Sequence, residues 1–225
     1  MPRSLQAYVL NADLRTSRKV TDRNAWQREL ADATSAVKRR IDQRQPPEVP
    51  VARRHLQPVK GIDELVGVYE KPSIAISVAW ELNLRIAPRG FRFGLGFGTI
   101  DVGLDSDRNS ELDGTAFHRA ADAISRAREE GLSLAISADG INLHPLQMAE
   151  MLFTLVDQTI RTWKPASLDV ARAWMLREPG EVQSDIAAAL GVSQQAVSKA
   201  IRRTHARQIL DSLRSIEAWL TDLGQ

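Results

Sequence analysis

Cysteine is missing from all 225 residues. That excludes a disulfide scaffold, a thiolate zinc site and a cysteine nucleophile, and it fits a reducing compartment. No stretch approaches the roughly 20 consecutive apolar residues that span a bilayer. Arg3 and Gln6 interrupt the first residues before an apolar signal segment can form. A cytoplasmic protein with no membrane partner is the expectation. Neither sign of charge dominates: 30 Lys and Arg oppose 28 Asp and Glu, a formal net charge of +2. Such a balance permits nucleic acid as a partner without demanding it. The 43% of hydrophobic residues is enough for one large domain, or a medium one and a small one.

Residues 5–12 read as a buried strand that stops at Asp13. Thr21 or Asp22 caps a helix running to about Arg44, with Trp26, Leu30, Ala33, Val37 and Ile41 on one stripe. Pro46, Pro47 and Pro50 end it in a loop over 45–54. A hairpin comes next, His55 to Lys60 and Leu65 to Tyr69, turning at Gly61-Ile62-Asp63-Glu64. Pro72 opens a helix to about Ile86. Within Phe91–Gly98 apolar residues alternate with Gly94, Gly96 and Gly98, so one face lacks side chains there and invites close approach of a helix or a ligand. Helices at 116–130 and 145–163 flank a strand at 132–137. The order β-α-β-β-α-β-α-β-α predicts an α+β fold: a mixed, largely antiparallel sheet with helices on one face. Lys164-Pro165-Ala166 breaks the chain. We place domains at 1–163 and 164–225, the second a small all-α unit.

The clearest local motif is SDIAAALGVSQQAVSKAIRR, residues 184–203. It reads as helix, glycine turn, helix. Ile186, Leu190, Val192, Val197 and Ile201 form the expected buried face. Ala187 leaves room for a crossing helix, Gly191 takes the turn, and Ser193 caps the second helix. Ser193, Gln194, Gln195, Ser198, Lys199, Arg202 and Arg203 are left outside. Amides, hydroxyls and cations are the groups that read base edges and grip phosphates, so double-stranded DNA is the expected partner. Residues 205–222 form a last helix with a stripe of Ile209, Leu213, Ile216 and Leu220. It packs either on the first domain or on the same helix of a second copy.

Asp13 ends a strand and Asp63 sits in the hairpin turn. If the two converge, they would hold a divalent cation such as Mg²⁺, with Arg15, Arg18 and Lys60 facing the phosphates of a nucleotide and Glu64 as a third acid. A helix-borne His118 would be a core residue more often than a ligand or a base.

These motifs together resemble the SatD family of bacterial proteins over nearly the whole chain. The likeness rests on NADLRTSR, GIDELVG, FGLGFGTID, DGTAFHRAADAI and the closing WKPAS…SDIAAALGVSQQAVSKAIRR. The N-terminal part also resembles class III nucleotide cyclases and GGDEF domains, in which an Asp of the first strand and an Asp of the hairpin hold two metals over a nucleoside triphosphate. Asp13 and Asp63 stand at those places, and the resemblance implies a ferredoxin-like, cyclase-like sheet, in agreement with the element order. Ile62 replaces the usual glycine before the acid, and Leu65-Val66 replaces Phe-Gln. His118 and Asp122 occupy positions where cyclases carry Asn and Arg, and an acid there has the wrong sign for a developing negative charge. The resemblance therefore implies a DNA-binding transcriptional regulator, homodimeric, with a non-catalytic cyclase-like ligand-sensing or pairing domain. The alternative it implies is a Mg²⁺-dependent nucleotide-binding or nucleotidyl-transfer enzyme.

Overall fold

Short apolar runs buried along most of their length draw the strands, and apolar stripes with period 3.6 draw the helices. A computed structural model describes residues 4–15, 21–44, 53–61, 63–138 and 143–223. The elements run β1 (Leu5–Leu14), α1 (Arg23–Arg44), β2 (Arg54–Lys60), β3 (Glu64–Tyr69), α2 (Pro72–Ile86), β4 (Phe91–Ile100) and α3 (Thr115–Glu129). They continue with β5 (Leu134–Ser137), α4 (Leu143–Arg161), α5 (Pro165–Met175), α6 (Gln183–Leu190), α7 (Gln194–Thr204) and α8 (Ala206–Leu223). Asp22 caps α1 by accepting from Ala25 N at 2.8 Å. Trp26, Leu30, Ala33, Val37 and Ile41 are all buried.

The described strands form one five-stranded sheet in the order β2-β3-β1-β4-β5. β1 pairs antiparallel with β3 and β4, β2 pairs antiparallel with β3, and β5 runs parallel to β4. The first four strands with α1 and α2 make the βαββαβ order of a ferredoxin-like sheet, inside an α+β fold.

Helices cover both faces, not one. Tyr8, Leu10, Ala12 and Leu14 join Trp26, Leu30, Ile74, Leu82 and Phe153 in the main core, so α1, α2 and α4 share that side. Ala7 and Val9 join Val66, Val68, Ala116 and Ala120 on the other. The glycines of β4 explain the second layer. A Cβ on Gly94 would sit 2.5 Å from Ile124 N, and one on Gly96 would run into the backbone of α3 at Ala116 and Ala120. Close approach of a helix, not of a ligand, is what the bare face serves. The short turn at Asn109–Glu111 adds to the cover over β2 and β3: Asn109 Nδ2 donates to His55 O and Val66 O.

The apolar core does not stop at the connection 162–164. Leu168, Trp174, Ile209, Leu213, Ile216 and Leu220 belong to the same buried cluster as the sheet. The stripe of α8 lies on α2, which settles the two packing options in favour of the chain's own first domain. Buried polar groups join the parts as well. Ser77 Oγ and Trp80 Nε1 of α2 both donate to Glu217 Oε1 of α8 at 2.6 Å. Arg172 Nε and Nη2 of α5 donate to Leu84 O and Ala87 O at the end of α2. Arg40 of α1 pairs with Glu81 of α2 at 3.2 Å and donates to the carbonyls of Leu176 and Arg177 after α5.

Candidate nucleic-acid interface and the acids at the sheet end

α6 and α7 are short, so their ends decide their geometry. Val182 N donates to the Asp185 carboxylate at 2.9 Å, tying down the start of α6. Gly191 ends it with φ 65°, a left-handed conformation that a side chain resists. Ser193 Oγ then accepts from Ala196 N at 3.2 Å and caps α7. Ile186 and Ala187 of α6, with Val197, Ala200, Ile201 and Thr204 of α7, are buried against α5 and one another. Leu190 and Val192, expected inside, are exposed. The eight-residue α6 ends at Leu190, so that side chain and Val192 flank the turn instead of entering the packed crossing.

The outer face of α7 holds what the pattern assigned to it. Ser193, Gln194, Gln195, Lys199, Arg202 and Arg203 are exposed and Ser198 is half-buried. Gln194, Gln195, Lys199 and Arg202 make no side-chain hydrogen bond or ion pair among the described residues. Arg203 differs: its Nη2 donates to Ser167 Oγ of α5, so this cation braces the helix pair. A further basic group escaped the sequence reading. The Arg177 guanidinium lies 3.7 Å from the centroid of the Trp174 ring, with Arg207 on the same ring at 5.9 Å. Burial lowers the Arg177 pKa, and Arg214, Arg207 and Arg44 add repulsion. These residues come from α1, α5, α8 and the segment just after α5, far apart in sequence, so no local pattern announced them.

Asp13 and Asp63 meet along the backbone but not through their carboxylates. Leu14 N donates to Asp63 O at 2.8 Å, so the hairpin turn does abut the end of β1. The side chains leave on opposite faces. Asp13 accepts from Arg128 Nη2 of α3 at 3.0 Å and lies 3.9 Å from Arg92 Nη1. Asp63 Oδ2 lies 3.6 Å from Arg23 Nη2 of α1, on the other side of the sheet. The register gives the reason. Asp13 stands opposite Glu64, so Asp63, one residue away, faces the reverse side. One oxygen, Asp63 Oδ1, is buried without a hydrogen-bond partner. No group of three or more His, Asp or Glu side chains among the described residues is arranged to hold a metal ion. The acids do not fit the paired metal site.

Arg15 is also committed elsewhere. Its Nη2 pairs with Asp157 of α4 at 3.0 Å and its Nε donates to Phe91 O. Burial pulls its pKa down to about 10 against the attraction of Asp157. Its guanidinium ties the end of β1 to α4 and to the start of β4. Arg18 lies outside the described residues, as does the side chain of Lys60. His118 is exposed, 3.7 Å from Asp113, and is not a core residue; it sits on the solvent side of α3 because Ala116 and Ala120 take the sheet side.

One buried acid that the structure does surround with donors is Asp157. It accepts from Arg15, from Ser133 Oγ at 2.9 Å and from Asn83 Nδ2 at 2.8 Å, while Asn83 Oδ1 accepts from Phe91 N at 2.8 Å. Every partner in it is satisfied, which marks a structural network. Its signal was present in the sequence: a polar residue at an inward position within otherwise apolar helices, Asn83 in α2 and Asp157 in α4.

No protein-family model and no curated protein matches the chain. Among solved structures, the crystal structure of a regulator of polyketide synthase expression from Bifidobacterium adolescentis is similar at a TM-score of 0.27 and 12% identity, over 96% of this chain and 86% of that one. A likeness at that level carries no argument about fold or function. No helix among the described residues is long and apolar enough to cross a membrane.

Proposed function

We propose that this protein is a DNA-binding regulator in which α6 and α7 form the helix-turn-helix and α7 enters the major groove. Gln194, Gln195 and Ser198 contact base edges; Ser193, Lys199 and Arg202 contact phosphate and sugar. The sheet domain is a non-catalytic body that pairs two copies or senses a ligand, so that two α7 helices address two half-sites. One observation carries the reading: α7 buries one face against α5 and α6 and leaves amides and cations unengaged on the other. The resemblance to the SatD family supports the same assignment.

The test is selection of bound fragments from a random duplex pool, then anisotropy titrations across a salt series. Arg202→Ala should weaken binding to all sequences and reduce the salt slope by about 1. Gln195→Ala should relax discrimination at one base pair, a change of about 1–3 kcal/mol. A pool that yields no enriched sequence, or affinity and salt slope unchanged by Arg202→Ala, overturns the proposal.

A further inference from the structure

The face of α4 turned away from the core is unusual for a chain that is 26% charged. Met148, Met151 and Leu155 are 61, 65 and 62% exposed. With exposed Gln158 they keep a 3-4-3 spacing, the repeat by which one helix lays a straight seam along another. From Gln147 to Thr159 the only charged residues are Glu150 and Asp157. Both are buried, Glu150 by Arg126 and Asp157 by Arg15. The exposed part of this stretch thus offers three large apolar side chains rimmed by amides and a hydroxyl, with no formal charge.

We infer that α4 is the surface through which two copies of this chain associate, its seam packed antiparallel against the same seam of the second copy. Charge selects the occupant. A nucleic acid would need cations here, and an acidic or basic protein would need the opposite sign. A seam without charge meets its own image without repulsion. Symmetry agrees. A two-fold axis makes each residue's contact reciprocal. Placed beside Met151, it sets Met151 against its own copy and Met148 against Leu155 in both directions, so all three apolar side chains are covered at once. The stripe of α8 cannot serve this purpose, because it is spent on α2.

An α4 seam is the surface for the pairing that the DNA-binding reading calls for. It rests on that reading only in giving the pair a use, and its test does not involve DNA. The cysteine-free chain makes the measurement clean. Met151→Cys in the full-length protein should form a disulfide-linked dimer under mild oxidation, whereas Ser125→Cys on the exposed side of α3 should not. Light scattering should give twice the monomer mass for the unaltered protein. Leu155→Glu, which brings two like charges into the seam, should raise the dissociation constant about tenfold or more. Circular dichroism of Leu155→Glu should match the unaltered protein, since the site is exposed. A monomer at every concentration, a dimer indifferent to Leu155→Glu, or crosslinking no better at 151 than at 125 each overturns the inference. Crosslinking at 151 with no DNA bound retains this inference and removes the DNA-binding reading.

Discussion

Glu217 is the residue that tests whether the C-terminal helices and the sheet are one body. Its Oε1 receives Ser77 Oγ and Trp80 Nε1, both at 2.6 Å, across the contact of α8 with α2. Ser77 and Trp80 are themselves buried. Glu217→Ala leaves two donors unpaired in the core, each costing about 1–3 kcal/mol, so roughly 2–6 kcal/mol together. At about 2–4 °C per kcal/mol for a chain of this size, the melting temperature should fall by at least ~4 °C. Glu217→Gln keeps an acceptor oxygen and should stay within about 1 kcal/mol of the parent at neutral pH. The pH dependence has a definite sign. Burial pushes the Glu217 pKa up, opposed by the bonds from Ser77 and Trp80 and by Arg214 and Arg44. The folded state then holds the proton more tightly than the unfolded state. The group's contribution is fully present below the unfolded pKa, near 4.3, and is lost as pH rises through the folded value. The parent's melting temperature minus that of Glu217→Gln should therefore decline from pH 4 upward. Glu81, whose pKa burial also raises, is common to both proteins and cancels. Differential scanning calorimetry from pH 4 to 8 decides it. An alanine variant as stable as the parent, or a difference that grows in the parent's favour with pH, would refute the reasoning.

Two further substitutions probe the sheet body. Gly96→Ala should destabilise by about 1–3 kcal/mol or more in urea titrations, because its Cβ would enter the backbone of α3 between Ala116 and Ala120; an unchanged midpoint would mean α3 does not lie tight against β4. Asp157→Ala should cost about 3–5 kcal/mol by leaving Arg15 buried without its counter-ion, whereas Asp13→Ala, which breaks the more exposed contact with Arg128, should cost under about 1 kcal/mol. Equal losses for the two aspartates, read from the same titrations, would contradict the difference in their surroundings.

Local chemistry carried most of the fold into the sequence. The Asp22 cap, the stripe from Trp26 to Ile41, Pro72 at the head of α2 and Gly191 after α6 are each readable within one or two turns of chain. The bare glycine face of β4 was also legible, but its occupant was not, because α3 reaches it from about 20 residues further on. The carboxylates failed for a sharper reason. Strand order brought Asp13 and the hairpin together as the pattern implied, yet the face of each side chain depends on register to a single residue. Register is fixed by pairing across strands and not by either strand alone. Arg15 reads from its sequence neighbours as a cation available to phosphates; only Asp157, 142 positions away, shows it engaged internally. On α7 the same limit appears in Arg203, whose partner Ser167 lies on α5.

The links between the two halves of the chain bear on how paired copies would present α7. Only residues 162–164 separate α4 from α5, and three charged or polar junctions, buried or partly buried, brace the C-terminal helices against α1 and α2. They are Arg40 with Glu81 and the end of α5, Arg172 with the end of α2, and Glu217 with Ser77 and Trp80. A flexible tether would let one pair of recognition helices search many half-site spacings. Here the orientation of α7 relative to α4 is set by packing, so an α4 seam would fix one separation between the two α7 helices. Selected DNA sites should then show a single half-site spacing. Inserting five base pairs between half-sites turns one by about half a helical repeat, and binding of the pair should drop to that of one half-site. Glu217→Ala, which loosens one of the junctions, should soften that penalty. Tolerance of the insertion by the unaltered protein would show that the helices move independently of the seam.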